Sequence, residues 1–295
     1  MNKSVSKNQQ LSGQLAVLFA AFLWSTSGLF IKLLDWHPVV IAGARSFVAA
    51  LFLLVVRLIS PPPKGVKNRA FPLWACGFAF AFTLLTYVVA NKLTTAANVI
   101  LLQYSAPIWA ALLAWALLKE KPGLENWIAL VFVMFGLFIF MRESMYSGAF
   151  SGNTLAIISG VLYGIHSVYL RMMKDGNPSD GLLLGHALTA VMSIPFMIMY
   201  PPVLKISSFI SILYMGIFQM GLASLLFSNG IKRIKAIKAM LTAILDPILN
   251  PVWVLAITGE KPSLSALAGG AIIIIAVIGS SLVGARKNEI EGNQP

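Results

Sequence analysis

The chain has 295 residues, of which 58% are hydrophobic and 11% are charged, with a formal net charge of +12 and a mean hydropathy of +0.82. Since a soluble globular domain carries about 25% charged residues, this composition excludes a soluble protein and indicates an integral membrane protein. Long uninterrupted apolar runs also exclude an outer-membrane barrel, whose strands alternate in polarity over about ten residues.

Ten membrane helices are predicted in chain order, because ten apolar stretches reach the roughly 20 residues that a helical span requires. They cover residues 13–33, 38–58, 71–90, 96–118, 124–142, 152–172, 180–200, 207–229, 235–258 and 263–285. The first apolar run continues to Phe30 without an evident cleavage site. We therefore interpret it as a span rather than as a signal peptide.

The basic residues are distributed unevenly between the two sides that these spans define. With a cytoplasmic amino terminus, 16 Lys and Arg residues lie in inside segments and 5 lie at outside ends, and Arg45 within a span completes the 22. Such a bias sets the orientation of membrane proteins. We expect both termini in the cytoplasm and the protein in the cell (inner) membrane, with the lipid bilayer rather than a nucleic acid as its partner.

The sequence also contains an internal repeat. At an offset of 139 residues the aligned pairs are Ser12/Ser151, Gly13/Gly152, Leu23/Leu162, Trp24/Tyr163 and Lys32/Arg171. At an offset of 140 residues they are Ala96/Ala236, Pro107/Pro247, Ala116/Ala256 and the tripeptide Glu-Lys-Pro at 120–122 and 260–262. Proline and Glu-Lys-Pro in one register indicate two copies of one unit, residues 1–147 and 148–295.

Each copy holds five predicted spans, and an odd number inserts the second copy upside down relative to the first. Inverted repeats of this kind recur in secondary transporters, whose substrate sites lie near the bilayer midplane at the repeat interface. The predicted fold is therefore an all-α membrane protein with ten transmembrane helices in two inverted five-helix repeats.

Two motifs carry a resemblance to a known family. Ala21 and Trp24 in an AxxW start precede Lys32, Pro38 and Arg45, and TTAANVILLQYSAPIWAALLAWALLKEKP places small residues before a proline and Glu-Lys at the span end. This pattern resembles the EamA family of the drug/metabolite transporter superfamily, over essentially residues 12–285.

The second copy departs from the first at two charged positions. Gly185 and His186 stand where an arginine equivalent to Arg45 is expected, and Asp246 has no carboxylate equivalent in the first copy.

The resemblance implies a transporter of small metabolites, with a central cavity lined by predicted spans one, three, four, six, eight and nine. We interpret the chain as a secondary transporter that moves an amino acid or a related compound by alternating access, with efflux favoured. The alternative is an importer of a cationic or aromatic nutrient. The expected partners are a small-molecule substrate and, as a second candidate, a proton, for a monomer or homodimer without cofactor or metal.

Polar and aromatic side chains in the lining spans are the candidate substrate contacts. Asp246, Asn250 and Trp253 are spaced i, i+4 and i+7 and so share one helix face. The other candidates are Trp24, Tyr87, Gln103, Tyr163 and Gln219. Each also has a structural interpretation, since aromatic residues pack and buried amides form interhelical hydrogen bonds of roughly 0.6 kcal/mol. Arg45 is expected to be structural, snorkelling to the surface or binding carbonyls.

Asp246 is the only one of the ten acidic residues that is predicted deep in a span. An aspartate at a helix centre costs about 2.5–3.5 kcal/mol on the insertion scale. It either has a structural role, as a carboxyl that stays neutral or that caps a kinked backbone beside Pro247, or it forms a cavity carboxylate that meets a cationic substrate group or exchanges a proton. We favour the second. Pro107 and Pro247 are hinge candidates, because each removes a backbone donor near the repeat interface.

Other functional classes lack their sequence signatures. HExxH, GxGD and a second deep carboxylate are absent, which argues against an intramembrane enzyme, and the single Cys76 provides no cysteine cluster. No P-loop is present, so ATP drive would need another chain. A channel or scaffold stays as an alternative, but inverted copies with broken helices favour alternating access.

The charge bias predicts the topology directly. A fluorescent reporter that matures only in the cytoplasm should be bright when it is fused after residue 295 and dark when it is inserted at residues 143–149. A periplasmic enzyme reporter at the same two positions should give the opposite pattern. An external location of residue 295 would contradict both the topology and the inverted repeat.

Overall fold

The computed structural model describes residues 7–62, 65, 67–144, 149–234, 238–239, 242–243 and 245–292. Within these ranges the secondary structure is helical throughout and contains no β-strand. The predicted ninth span, residues 235–258, begins partly outside the described residues.

The helices follow one another with short connections. Their bounds are α1 Lys7–Trp24, α2 Ser27–Leu33, α3 Pro38–Ile59, α4 Ala70–Leu93, α5 Ala96–Gln103, α6 Ala106–Leu118, α7 Leu124–Ser144, α8 Phe150–Met172, α9 Ser179–Met199, α10 Ile206–Tyr214, a π-helix Met215–Leu222, α11 Ala223–Ile231, α12 Leu245–Thr258 and α13 Leu264–Gly292.

Among the described residues, seven helical stretches are long and apolar enough to cross a membrane. They are Asn8–Leu33, Pro38–Ile59, Ala70–Leu93, Ala96–Leu118, Phe150–Met172, Ser179–Met199 and Ile206–Ile231. Three shorter apolar stretches, Leu124–Gly136, Leu245–Thr258 and Leu267–Ser280, lie within the fifth, ninth and tenth predicted spans. The protein is therefore an all-helical, multi-pass membrane protein.

Large hydrophobic side chains cover the outside of the helices. Ile198, Ile206 and Leu264 are 77%, 82% and 85% exposed. In water such a surface would drive association, whereas in a bilayer it faces hydrocarbon chains of the same polarity. The interior is correspondingly rich in small and hydroxyl-bearing residues.

Two of the long apolar stretches are not continuous helices. The first breaks at Ser25 and Thr26, between α1 and α2, and the fourth breaks at Tyr104 and Ser105, between α5 and α6. The Ser25 hydroxyl donates to the Phe22 carbonyl at 2.7 Å and the Thr26 hydroxyl donates to the Leu23 carbonyl at 2.9 Å. These side chains satisfy carbonyl groups beside the break, which hydrocarbon could not do.

The two repeated prolines stand at the beginnings of helices. Pro107 is in the first turn of α6 and Pro247 is in the first turn of α12. A proline in the first turn lacks an N–H that the helix does not need, so neither residue breaks the helix that contains it. The bend that was expected at Pro107 therefore lies before the proline, at Tyr104 and Ser105.

The first and second halves of the chain interlock rather than packing as separate bundles. The helix α4 packs along α8, α3 along α9, α1 along α11 and α7 along α13. Each of these pairs joins an element before residue 145 to an element after residue 148. The core between the halves therefore belongs to both of them.

Glycines allow close approach at this interface, as is common between membrane helices. A Cβ at Gly230 of α11 would collide with Val17 of α1 and would lie 2.9 Å from the Gly13 carbonyl. A Cβ at Gly164 of α8 would lie 2.8 Å from the Ala106 carbonyl of α6.

Polar contacts between helix ends fall into two groups. At one end, the Lys32 ammonium lies 2.8 Å from a Glu260 carboxylate oxygen and donates to the Thr94 carbonyl at 2.9 Å. We call this the Lys32 end.

At the other end, called the Arg171 end, Arg171 Nε lies 3.3 Å from Glu120 Oε1, and Arg171 Nη1 donates to the Ile231 carbonyl at 2.7 Å. Arg233 donates to the Ser12 hydroxyl there at 2.6 Å. Roughly 20 residues at about 1.5 Å each separate Ser12 from Lys32, so the two ends lie about 30 Å apart. That distance matches the hydrocarbon thickness of a bilayer.

The close approach at Gly230 makes a stability prediction. Gly230→Ala should lower the free energy of unfolding by about 1–3 kcal/mol, because the new methyl group overpacks α1 against α11. Gly279→Ala is the matched control, since a Cβ at Gly279 meets nothing within 4 Å. The control should be neutral or slightly stabilising through helix propensity. Thermal unfolding in lipid nanodiscs measures both, and equal midpoints for the two variants would contradict the packing.

Candidate functional site

A central cavity lies between the two halves of the chain. The volume available to the centre of a water molecule is about 60 Å³, room for a few waters. Its walls are Trp24, Ser27, Arg45, Phe80, Thr83, Leu84, Tyr87, Gln103, Tyr104, Tyr163, Gln219, Met220, Ala243 and Asp246. Six of the eight predicted substrate contacts thus share one cavity, and Asn250 and Trp253 lie beside it.

The cavity coincides with the irregular parts of the helices. Trp24 flanks the break between α1 and α2, and Gln103 ends α5. Gln219 lies in the π-helix and Asp246 in the first turn of α12. Non-helical backbone at membrane depth is tolerated where it lines a cavity, and π-helical segments are frequent at functional sites. The fold therefore concentrates its irregular backbone around one chamber.

Asp246 is 9% exposed, and its Oδ1 atom has no hydrogen-bond partner among the residues that the structure describes. A carboxylate in the first turn of a helix is favoured by the helix dipole. The backbone just before it is held by the Tyr104 hydroxyl, which donates to the Ala243 carbonyl. Asp246 is thus positioned by both halves of the chain while one of its oxygens stays available.

Asn250 and Trp253 occupy the side of α12 that packs on α1 and α2. Asn250 is fully buried, and a Cβ at Gly28 would collide with its Oδ1 atom. The Trp253 indole donates to the Ser25 hydroxyl at 3.0 Å. The Trp253 contact attaches α12 to the break in the first apolar stretch. Asn250 packs closely against α2, and neither polar atom of its side-chain amide has a hydrogen-bond partner among the described residues.

Aromatic rings form one wall of the cavity. Trp24 packs edge-on against Tyr163 with ring centroids 6.3 Å apart, and it packs on Phe227 at 5.1 Å. Edge-to-face pairs of this kind add about 0.5–1.5 kcal/mol beyond their buried area. The Tyr163 hydroxyl is buried and has no hydrogen-bond partner within the described parts of the chain.

The remaining polar candidates differ in how completely they are bonded. Tyr87 and Ser27 share a hydroxyl hydrogen bond of 2.8 Å. Gln103 donates to the Ser159 hydroxyl at 2.7 Å. Gln219 has only a long contact, 3.5 Å from its Nε2 to the Trp24 carbonyl, and its Oε1 is buried without a partner in the described ranges. Gln103 is therefore committed to helix packing, whereas Gln219 presents a free carbonyl group.

The sequence interpretation was wrong about the surroundings of Arg45. It was expected to snorkel or to bind carbonyls, but it is 0% exposed and lines the cavity. Its Nε, Nη1 and Nη2 atoms all lack hydrogen-bond partners among the described residues. The sequence signal that could have predicted its burial was its depth in the span. It lies seven residues into α3, about 10 Å from the helix start.

Comparison with known proteins identifies the family. The model of the EamA-like transporter family matches residues 11–142 and again residues 150–282. The chain belongs to the EamA-like transporter family.

Its relatives agree with this assignment. It is 24% identical over 270 residues to an uncharacterized transporter of Archaeoglobus fulgidus, covering 90% of this chain and 95% of that protein. It is 25% identical over 277 residues to the uncharacterized transporter YwfM of Bacillus subtilis, covering 90% and 92%. Solute carrier family 35 member G1 of Mus musculus is 31% identical over 179 residues, covering 55% and 48%.

A solved crystal structure with 19% sequence identity matches 93% of this chain and 98% of its own with a TM-score of 0.72, which shows a shared fold. Among the described residues of this EamA-like protein, no group of three His, Cys, Asp or Glu side chains is placed to hold a metal ion.

Two of the three cavity tyrosines, Tyr87 and Tyr163, make a matched pair for mutagenesis. Tyr87→Phe should cost about 1–2 kcal/mol of unfolding free energy, because the buried Ser27 hydroxyl loses its partner. Tyr163→Phe should be neutral or slightly stabilising, because it removes a buried hydroxyl that has no partner in the described structure. Thermal unfolding in detergent or nanodiscs distinguishes the two, and equal losses would show that the Tyr163 hydroxyl is bonded.

Proposed function

We propose that this EamA-like protein is a secondary transporter that moves a small metabolite by alternating access around the central cavity. In this proposal ten transmembrane helices form two inverted repeats, residues 1–147 and 148–295, with both termini in the cytoplasm of a cell (inner) membrane. The observation that carries the proposal is a pair of mirrored ion pairs, one at each end of the cavity.

Each ion pair joins a basic residue of one half of the chain to a glutamate of the other half. Lys32 aligns with Arg171 and Glu120 aligns with Glu260 in the sequence repeat. Lys32 pairs with Glu260, and Arg171 pairs with Glu120. Each basic residue therefore contacts the glutamate of the other half, as expected if a two-fold axis in the membrane plane relates the repeats.

The basic residues also contact equivalent helix ends within their own halves. Lys32 donates to the Thr94 carbonyl just after α4, and Arg171 donates to the carbonyls of Ile231 and Lys232 at the end of α11. In the proposed repeats α4 is the third span of the first repeat, and α11 ends the third span of the second. One local arrangement thus occurs twice, about 30 Å apart, which supports inverted repeats.

These contacts can act as two gates. The four side chains keep between 11% and 24% exposure, so both pairs are partly buried rather than exposed. In this proposal water replaces the lost partners when a pair separates, and substrate binding offsets the remaining cost. Both are formed in the described conformation, so access from one end requires the pair at that end to separate while the other pair holds.

The substrate is proposed to be an amino acid or a related compound, and the direction to be efflux. The lining of the cavity suits a small solute, because it combines buried polar groups with an aromatic wall, and the cavity must widen from about 60 Å³ to admit one. The second candidate is import of a cationic or aromatic nutrient, which the unpaired Asp246 oxygen favours as a counter-charge or proton site. We propose a monomer or homodimer without a nucleotide-hydrolysing domain.

Mirrored variants test the gates. In a chain carrying Thr83→Cys as a cavity reporter, Glu260→Gln should increase labelling by an impermeant maleimide from the Lys32 end. Glu120→Gln should increase it from the Arg171 end, because each change removes the charge of one pair only. Labelling of oriented vesicles from each side measures both.

The parent chain with Cys76 alone is the control, since this thiol is buried and should stay unlabelled. Counterflow in proteoliposomes that contain only this protein should proceed without ATP. Increased labelling from the same side in both glutamate variants, or a strict requirement for ATP, would contradict the proposal.

A further inference from the structure

A wide pocket lies at the Arg171 end, where α3, α9 and α11 meet. The volume available to the centre of a water molecule is about 440 Å³, within the roughly 300–1,000 Å³ of small-molecule sites. Leu53, Leu183 and Leu225 form its apolar part, and Arg57 and Lys232 are among its polar residues. We call it the end pocket, and it shares no lining residue with the central cavity.

The sequence repeat gives the end pocket an equivalent region at the Lys32 end. The offset of 140 residues aligns Asp35 with Asp175 and Pro38 with Pro178. It also aligns the Pro-Pro pair at 61–62 with the Pro-Pro pair at 201–202. The loops that border the end pocket therefore have equivalents in the other half of the chain, and the two ends can be compared position by position.

Aromatic rings fill the equivalent region at the Lys32 end. His37 stacks on Tyr200 with ring centroids 4.4 Å apart and on Phe196 with centroids 5.5 Å apart. The equivalent positions at the Arg171 end hold smaller side chains that line the pocket, namely Asn177, Ser60 and Val56. The end pocket is therefore open where three rings pack together at the opposite end.

The equivalent lysines at the two ends also differ. Lys92 donates to the Leu34 carbonyl at 2.5 Å. Its equivalent, Lys232, is partly buried and lines the end pocket, but its ammonium group has no ion-pair or hydrogen-bond partner among the described residues. Burial lowers the pKa of Lys232, and the neighbouring Arg233 lowers it further. An anion beside the ammonium group would offset both effects.

The carboxylates of the end pocket do not supply this anion. Asp180 pairs with Arg57, and it accepts hydrogen bonds from Asn177 at 2.7 Å and from Asn68 at 3.2 Å. Asp175 is exposed and, within the described structure, takes part in no ion pair. The Asn68 amide also donates to the Asn177 carbonyl at 2.8 Å, so hydrogen bonds fix this wall of the pocket.

The end pocket borders both lipid and water. Its three leucines lie within membrane-spanning stretches, whereas Lys232 follows the end of one. Leu58 and Ile59, which follow Arg57 at the end of α3, are 72% and 76% exposed. A ligand with a charged head and an apolar chain suits these surroundings, because its head stays near water while its chain stays in hydrocarbon.

We propose that the end pocket binds a membrane phospholipid, with the headgroup phosphate on the Lys232 ammonium group and an acyl chain against Leu53, Leu183 and Leu225. Lysine binds phosphate as a point charge. Basic pockets between membrane helices hold lipid headgroups on the cytoplasmic side, which is the side of the Arg171 end in the proposed topology. The lipid supplies at this end the packing that the stacked rings supply at the Lys32 end.

The test compares ligands on the full chain, purified in a non-ionic detergent and freed of lipid. The probes are dioctanoylphosphatidylglycerol, dioctanoylglycerol, which lacks the phosphate, and glycerol 3-phosphate, which lacks the chains. Native mass spectrometry measures the affinity of each probe. The phospholipid should bind about tenfold or more tightly than either of the others, because only it engages both the ammonium group and the leucines. This comparison does not depend on the folding of a variant.

Variants then assign the site. Lys232→Gln should lower the affinity for the phospholipid about tenfold, towards that for dioctanoylglycerol. Lys92→Gln is the matched control, since it changes the equivalent lysine at the opposite end and should keep the parental affinity. Val56→Phe combined with Ser60→Tyr copies the aromatic side chains of the Lys32 end into the end pocket. This double variant should lose the phospholipid and keep its fold, as checked by thermal unfolding.

Four results would overturn the inference. Dioctanoylglycerol bound as tightly as the phospholipid would show that the chains alone bind, and glycerol 3-phosphate bound as tightly would show a site for a soluble phosphate. Parental affinity in Lys232→Gln would exclude the ammonium group as the phosphate ligand. An equal loss of affinity in Lys92→Gln and Lys232→Gln would show a general effect of surface charge rather than a site.

Discussion

The absence of hydrogen-bonding solvent in the membrane is the constraint on which this structure depends. An unpaired backbone group in hydrocarbon costs several kcal/mol, so the chain can leave helical geometry only where other polar groups replace the lost partners. Ser25 and Thr26 supply hydroxyls at the first break, and Tyr104 supplies one to the segment before α12. The helix breaks lie together around the cavity, because each break needs the polar groups that the other breaks place there.

The charged residues at the two ends of the protein are repeated in both halves of the chain, whereas those in the centre are not. At the two ends, Lys32–Glu260 and Arg171–Glu120 repeat one arrangement, which suits the proposed alternating access. In the centre, Arg45 and Asp246 have no equivalents in the other half. In the proposed arrangement a two-fold axis relates the repeats, and a single bound molecule lacks that symmetry. A site on the axis would therefore gain selectivity only where the repeats have diverged.

Hydropathy and the repeat could predict most of the fold, because burial in a bilayer leaves a long apolar run for each helix. The bounds Pro38–Ile59 and Phe150–Met172 lie within two residues of those predicted. The break at Ser25, the π-helix around Gln219 and the burial of Arg45 were not predictable in this way. They depend on which groups meet across helices, and an apolar window reports only the average polarity of each helix. For the same reason, the spacing of Asp246 and Trp253 predicted a shared face of α12 but did not reveal that the two side chains meet different neighbours.

Contacts at both ends of α5 and α12 connect the cavity to the Lys32 end. Glu260, just after α12, accepts the Ala96 N–H at the start of α5 at 2.8 Å. Tyr104, just after α5, donates to Ala243 just before α12. The two helices pack on each other and so form a closed unit, with Asp246 at one end and Glu260 at the other. Because a helix transmits displacement along its axis with little compression, a displacement of Asp246 would also shift Glu260 relative to Lys32. In the proposed mechanism α5 and α12 would thereby couple the binding site to the gate at the Lys32 end, without a change in the packing of the long helices around them.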